Sequence, residues 1–142
     1  MKIIPLHHIP MRPEFCSPFS AALAVEDARL VFFSGCGPVP IYHKHPHVFS
    51  EHNHPVSIKD QTRLAMENIK TILDHQNLTW TDVVKVTKYL TDMRDMDGMV
   101  EVLAEYFGNW TPASTTVCVN QLSTPGARVE LDMIAVFPKT KG

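Results

Sequence analysis

"VVKVTKYLTDMRDMDGMVEVLAEYFGNWTPASTTVCVNQ", residues 83 to 121, decides the fold. Its first eight residues are rich in Val, Thr and Tyr, which suit a pleated, half-buried surface, and they predict a strand over 83–90. Asp92 and Asp95 then offer a cap and first-turn charge. Met96, Val100, Leu103 and Phe107 form one helical stripe that stops at Gly108, a residue suited to the turn after a helix. A second run of Thr and Val predicts a strand over 115–121. Two strands joined through a helix pair in parallel as a right-handed crossover, and an open sheet of this kind needs its other face covered. With two helices for one sheet, self-association is expected.

Working outward, Ser57 and Asp60 have capping-box spacing, with Asp in place of the usual Glu. Ala65, Ile69, Ile72, Leu73 and Gln76 follow at helical spacing and predict a helix over about 58–76. "ALAVEDARLVFFSGCGP", residues 22 to 38, places two apolar runs around Glu26 and Asp27 and reads as a β-hairpin. Residues 36–56 carry three prolines after Val39 without a sustained period and read as a long loop. A last strand is expected at 129–136. The order is β-β-α-β-α-β-β, an α/β (α+β) architecture with a mixed sheet and both helices on one face, in a single domain spanning 1–142.

The bulk numbers narrow the function. Apolar residues make up 44% and charged residues 20%, the usage of a globular chain and not of a disordered one. Thirteen Lys and Arg against fifteen Asp and Glu give a formal net charge of −2, which would not gather nucleic acid or an anionic membrane. The N-terminal "MKIIPLHHIP" is interrupted by two prolines and two histidines and lacks the apolar core of a secretory signal, and no stretch has the length of a membrane span. Cys16, Cys36 and Cys118 are an odd number without CxxC spacing, so neither a disulfide framework nor a structural zinc site is indicated, and a reducing cytoplasm is expected.

"QTRLAMENIKTIL" (61–73), "DVVKVTKYLTDM" (82–93), "VEVLAEYF" (100–107), "PASTTVCV" (112–119) and "RVELDMIAV" (128–136) stand in the order and spacing of the YjgF-like reactive-intermediate deaminase family, also called the L-PSP endoribonuclease family. The chain resembles that family from "SPFS" at 17 to Val136, with a longer loop at 39–56. The resemblance implies a chorismate-mutase-like fold, a homotrimer, and clefts between subunits in which imines and enamines are hydrolysed. It implies no metal and no organic cofactor.

It also implies the site. Active relatives carry an arginine directly after Pro-Ala, gripping a substrate carboxylate through paired hydrogen bonds; here Pro112 and Ala113 are followed by Ser114. A hydroxyl supplies no charge, and losing one partner of a desolvated ion pair costs about 2 to 5 kcal/mol, so an atypical substrate range is expected. The family's Gly-Pro-Tyr stands as Ser17, Pro18 and Phe19, and its Ser-Gly-Gln as Ser34, Gly35 and Cys36. Glu130 matches the family's acidic residue and is the catalytic candidate, as the group that positions and activates water. Asp132, two residues on, has two readings: it crowds Glu130 and raises its pKa, or it is a surface charge.

Around Glu130 the substrate-binding candidates are Phe19, Cys36, Ser114, Thr116, Cys118 and Arg128. Thr116 or Cys118 would stand beside Glu130 if strand register allows, and Arg128 shares strand parity with Glu130, which makes it the candidate replacement anchor. Cys118, between valines, reads as a small core or interface residue. The alternative function is a non-catalytic relative that keeps the cleft as a ligand-binding or regulatory surface; RNA cleavage fits the net acidity poorly.

His43, His45 and His47, with His52 and His54 behind them, leave three readings open: a polar loop, a metal site suited to imidazole ligands, or a flap whose histidines meet an acidic ligand. Met93, Met96 and Met99, together with Trp80 and Trp110, read as packing residues.

Overall fold

The computed structural model describes residues 1–10, 12–15 and 18–139. Six strands and two helices follow one another as β1 (Lys2–Leu6), β2 (Ala22–Glu26), β3 (Ala28–Phe32), α1 (Ile58–His75), β4 (Val83–Leu90), α2 (Met96–Phe107), β5 (Ala113–Cys118) and β6 (Val129–Pro138). Four strands form a mixed sheet in the order β3-β6-β4-β5, and β1 pairs with β2 in a separate antiparallel ribbon. The expected parallel pair is present: β4 and β5 run side by side across the α2 crossover. β6 lies antiparallel to both β3 and β4.

The helices start and stop where their ends find hydrogen-bond partners. The Asp60 amide donates to Ser57 Oγ at the head of α1, and Asp92 accepts from the Arg94 amide in the short turn that leads into α2. α2 ends at Gly108, whose φ of 59° favours glycine and whose N–H reaches Ala104 O. Ala65, Met66, Ile69 and Leu73 of α1, with Met99 and Leu103 of α2, pack on Val129, Leu131, Met133 and Ala135 of β6 and on Val83, Val86 and Leu90 of β4. A bulge between Val83 and Lys85 shifts the β4 register, so Val83 and Val86 both face the core and the alternation of this strand is imperfect. Trp110 Nε1 donates to Val83 O at the bulge (2.7 Å), and Trp80 meets Tyr106 and Phe107 edge to face, so both tryptophans pack as expected. Of the three methionines, Met99 is fully buried while Met93 and Met96 stay largely exposed.

Two expectations are corrected. Residues 22–33 are not a hairpin. Asp27, at φ 52°, turns the chain within a single residue, and the two flanking strands take different partners: β2 pairs with β1, and β3 with β6. β1 itself was hidden by its proline, which is tolerated because Pro5 sits in a two-stranded ribbon with free edges. The strand expected at 115–121 begins and ends earlier, at Ala113–Cys118.

Gln61 is the polar tie of the core. It is 1% exposed; its amide nitrogen donates to Pro55 O (2.9 Å) and Gly126 O (3.0 Å), and its oxygen accepts from the Arg128 amide (2.8 Å). One side chain thereby joins α1 to the loops before it and before β6. Gln61→Ala strands these backbone groups and is expected to lower unfolding stability by about 2 to 4 kcal/mol. Chemical denaturation checks this, and a loss below about 0.5 kcal/mol would assign the tie no weight.

Candidate active site

β4 lies between β5 and β6, and its register assigns every candidate to a face. On one side Tyr89 pairs with Glu130 and Thr87 with Asp132; on the other strand edge Val86 pairs with Ser114, Lys88 with Thr116 and Leu90 with Cys118. Successive residues of a strand point to opposite faces. Ser114, Thr116 and Cys118 therefore share the helix-covered side with Val86 and Leu90, whereas Glu130 and Asp132 occupy the other side. Within one chain Thr116 and Cys118 do not stand beside Glu130.

Glu130 rests on Gly35. A Cβ at position 35 would come within 2.9 Å of the Glu130 carboxyl carbon, so the glycine lets the carboxyl lie where it does and a larger residue would push it aside. Segment 34–36 is held there by Cys36, whose N–H and C=O each bond to Leu131 at 2.8 Å. Half-buried, Glu130 has a pKa raised above the ordinary carboxylate value, first by loss of hydration and then by the charge of Asp132. The same two carboxylates and, above all, burial push the Cys36 thiol up to about 11. Cys36 is thus a neutral thiol that leans on Ser34 O (3.5 Å), not a nucleophile.

A cleft of about 430 Å³ opens at this point, with Glu130, Cys36, Phe32, Asn68 and His43 among its walls. Asn68 shapes it: its amide donates to Gly37 O (3.0 Å) and Val39 O (2.6 Å) and fixes the start of the long loop.

Ser114 borders a second, smaller cavity of about 60 Å³, together with Pro18, Lys88 and Trp110. Its hydroxyl is buried and has no hydrogen-bond partner among the described residues. Ser20 brings the Pro18–Phe19 segment here, through its N–H to Pro112 O (3.1 Å) and its hydroxyl to Thr111 O. Phe19 is 48% exposed at the edge of this segment; Cys16 and Ser17 lie outside the described residues. Thr116 is half-buried, and Cys118 is exposed in the single chain, so it is no core residue.

Lys88, which the sequence reading did not single out, is the one lysine among the buried polar residues described, at 8% exposure. Burial, followed by the neighbouring Lys85, lowers its pKa, and no carboxylate among the described residues is paired with it. The signal was present: 88 has the parity of the core residues Val86 and Leu90 on an interior strand, where a lysine is rarely found without purpose.

Arg128 is committed elsewhere. Its Nε donates to Asp95 (3.0 Å) and its Nη1 to Val56 O (2.8 Å), which ties the start of β6 to the head of α2 and to the end of the loop. Its guanidinium serves the scaffold, so strand parity alone was a poor guide to its reach.

The histidine loop brings side chains together without a regular element beyond one short turn at Phe49–Glu51. His43, His47 and His52 place one ring nitrogen each within 4.8 Å of one another, while His54 packs separately against Gly126.

A mixed sheet of this order with two helices on one face is the fold of the small αβ proteins that this chain resembles in solved structures. The chain belongs to the endoribonuclease L-PSP family, whose model it matches over residues 10–137. It is 38% identical to the RutC family protein PH0854 of Pyrococcus horikoshii over 123 residues, which cover 87% of this chain and 90% of that one. TdcF of Escherichia coli K12, named as a proposed reactive intermediate deaminase, is 32% identical over 84 residues, covering 58% and 65%. Among solved structures, E. coli TdcF with bound serine superposes with a TM-score of 0.63 at 27% identity, covering 86% and 90% of the two chains. Rv2704 of Mycobacterium tuberculosis, described as a member of the YjgF/YER057c/UK114 family, gives 0.62 at 28%, covering 84% and 86%. No helix among the described residues is long and apolar enough to cross a membrane.

The raised pKa of Glu130 has a consequence for stability. Where the folded pKa exceeds the unfolded one, the folded chain holds the proton more tightly, so the contribution is full below the ordinary value of 4.5 and is lost as pH rises through the folded pKa. Glu130→Gln cannot lose a proton and escapes this loss. Its melting temperature is expected to exceed that of the natural chain at pH 7 to 8, with the gap closing as pH falls toward 4.5. A gap that is constant with pH would show that Glu130 titrates as an exposed carboxylate.

Proposed function

We propose that the protein hydrolyses a small imine or enamine in a cleft completed by a second copy of the chain, with Glu130 as the group that handles water. The observation that carries this reading is the Glu130 carboxyl itself: half-buried, bedded on Gly35 at the wall of a 430 Å³ cleft, with its pKa moved toward neutrality. A general base works best when its pKa approaches the working pH. In the proposed step Glu130 takes a proton from water while the water oxygen bonds to the imine carbon. That proton passes to nitrogen to give a carbinolamine; the hydroxyl proton then also moves to nitrogen as the carbonyl forms and the carbon–nitrogen bond breaks, and ammonia and a carbonyl compound leave.

The cationic clamp that family resemblance places at position 114 is replaced, in this reading, by Lys88. Its side chain lines the Ser114 cavity, projects from the adjacent strand, and has no acidic partner among the described residues. TdcF holds serine in its solved structure, and a small compound with a carboxylate is the kind of ligand a buried ammonium would recognise. Because a lysine is a point charge and not a planar fork, the angular demands on that carboxylate differ, which supports a substrate range unlike that of the arginine-bearing relatives.

Self-association is part of the reading. Leu30 and Phe32 on the outer face of the sheet are 56% and 71% exposed, an apolar surface that a second copy would cover. A homotrimer, as the resemblance implies, fits this need. Ligand binding without turnover is the second reading, favoured by the loss of the guanidinium at position 114. A cytoplasmic location accords with both.

Ammonia release from freshly generated 2-iminobutyrate and from an uncharged imine of similar size tests the proposal. Glu130→Gln should lower kcat by about a hundredfold or more on any substrate turned over. Lys88→Met should raise KM for the anionic compound by tens to hundreds of fold and leave the uncharged one little changed. Unaltered turnover in Glu130→Gln would remove the hydrolytic role; unaltered KM in Lys88→Met would remove the anchor alone.

A further inference from the structure

The 39–56 loop gathers a set of imidazoles to which the hydrolytic step assigns no role, although one of them, His43, also borders the cleft. His43, His45, His47 and His52 form a ring-to-ring cluster with centroids 4.7 to 5.2 Å apart. Three of them, His43, His47 and His52, each place one ring nitrogen within 4.8 Å of the others. Around an ion held tetrahedrally at ordinary zinc–nitrogen lengths, such nitrogens stand about 3.3 Å apart. The loop is therefore within a side-chain adjustment of the closed geometry.

The tautomer of one ring is decided by its neighbour. His43 Nδ1 lies 2.8 Å from Pro40 O, and a carbonyl only accepts, so Nδ1 carries the hydrogen and Nε2 keeps its lone pair. This is the arrangement that metal-ligating histidines adopt, with the second nitrogen donating to a backbone carbonyl and fixing the ring. His52 supplies an independent observation. Both of its ring nitrogens are buried and neither has a hydrogen-bond partner among the described residues. A buried polar group left in this way requires a partner, and two imidazoles, His43 and His47, stand with their ring centres 5.1 and 4.7 Å from its own.

The backbone around the cluster is held in place. Lys44 N–H donates to Glu51 Oε2 (2.9 Å), the amides of Glu51 and His52 reach Val48 O (2.9 Å) and Phe49 O (3.0 Å), and Asn53 donates to Ser50 O (3.2 Å). These bonds join the His43–His47 arm to the turn that carries His52, so the nitrogens are brought together before any ion arrives. Glu51, the carboxylate nearest in sequence, is engaged by Lys44 and not by the histidines.

We propose that His43, His47 and His52 form a binding site for one divalent transition-metal ion of the class that prefers imidazole, with zinc the expected occupant. Three neutral nitrogens with neither thiolate nor carboxylate suit zinc, copper or nickel and do not suit calcium or magnesium, which require oxygen ligands. The fourth position belongs to His45 or to water. The proposal stands apart from the hydrolytic reading, yet the two sites touch: His43 and the adjoining Pro40, Ile41 and Tyr42 also line the cleft that holds Glu130. An ion on His43 would stiffen that wall.

Isothermal titration of the chelator-stripped full chain with zinc chloride near neutral pH tests the site. One ion per chain at micromolar or tighter affinity is expected. His47→Ala and His52→Ala should each weaken binding by at least about tenfold. His75→Ala, at the end of α1 and outside the cluster, should leave it unchanged. Cobalt loading of the natural chain gives a second readout that needs no variant: strong visible bands of a four-coordinate ion are expected, against the weak bands of hexaaquo-cobalt. Circular dichroism of each variant confirms that the fold is kept. Absence of a stoichiometric site, affinity that survives replacement of all three histidines, or the hexaaquo spectrum alone would overturn the proposal.

Discussion

The register of β4 between β5 and β6 governs the arrangement of everything else. Leu131, Met133 and Ala135 must face α1 and α2 to complete the core, and the period of two then leaves Glu130 and Asp132 on the opposite face. The parallel pairing through α2 places Ser114 and Thr116 beside Val86 and Lys88, on the helix side. A slip of one residue would exchange core and surface along the whole strand, so the separation of these groups follows from the packing and is not adjustable locally. A site that uses both Glu130 and the Lys88–Ser114 cavity must take them from different copies of the chain.

That constraint gives the electrostatics a direction. Glu130 is pressed against a glycine and crowded by Asp132, Lys88 is enclosed without an acid among the described residues, and both shifts move the group toward its neutral form. Each is a local cost to folding that a bound anion or a reacting water would relieve. Residues with their partners already in place, such as Arg128 on Asp95 and Gln61 on three backbone groups, serve the frame. Groups without partners are the ones free to act on a ligand.

Much of the frame was legible in the sequence. Ser57 and Asp60, the stripe from Met96 to Phe107 closed by Gly108, and the parallel crossover all follow from short-range chemistry that tertiary contacts did not override. The ribbon of β1 and β2 was not legible, because Pro5 and the single-residue turn at Asp27 are local signals whose outcome depends on which edge is free. The site was read in part. Glu130 and its crowding by Asp132 come from two residues of equal parity on one strand, but the neighbourhood of Thr116 and Cys118 depended on register between distant strands. Arg128 and Lys88 show the same limit from both sides: parity suggested a reach that Asp95 forecloses, and a lysine at a core-parity position drew no notice among more familiar motif residues.

The most direct test of the central claim, that the proposed site is shared between copies, is a crystal structure of the assembled protein. The account predicts that Lys88 and Ser114 of one copy line the same solvent-filled cavity as Glu130 of a neighbouring copy. A stable monomer, or an assembly in which these residues open into separate cavities, would contradict it.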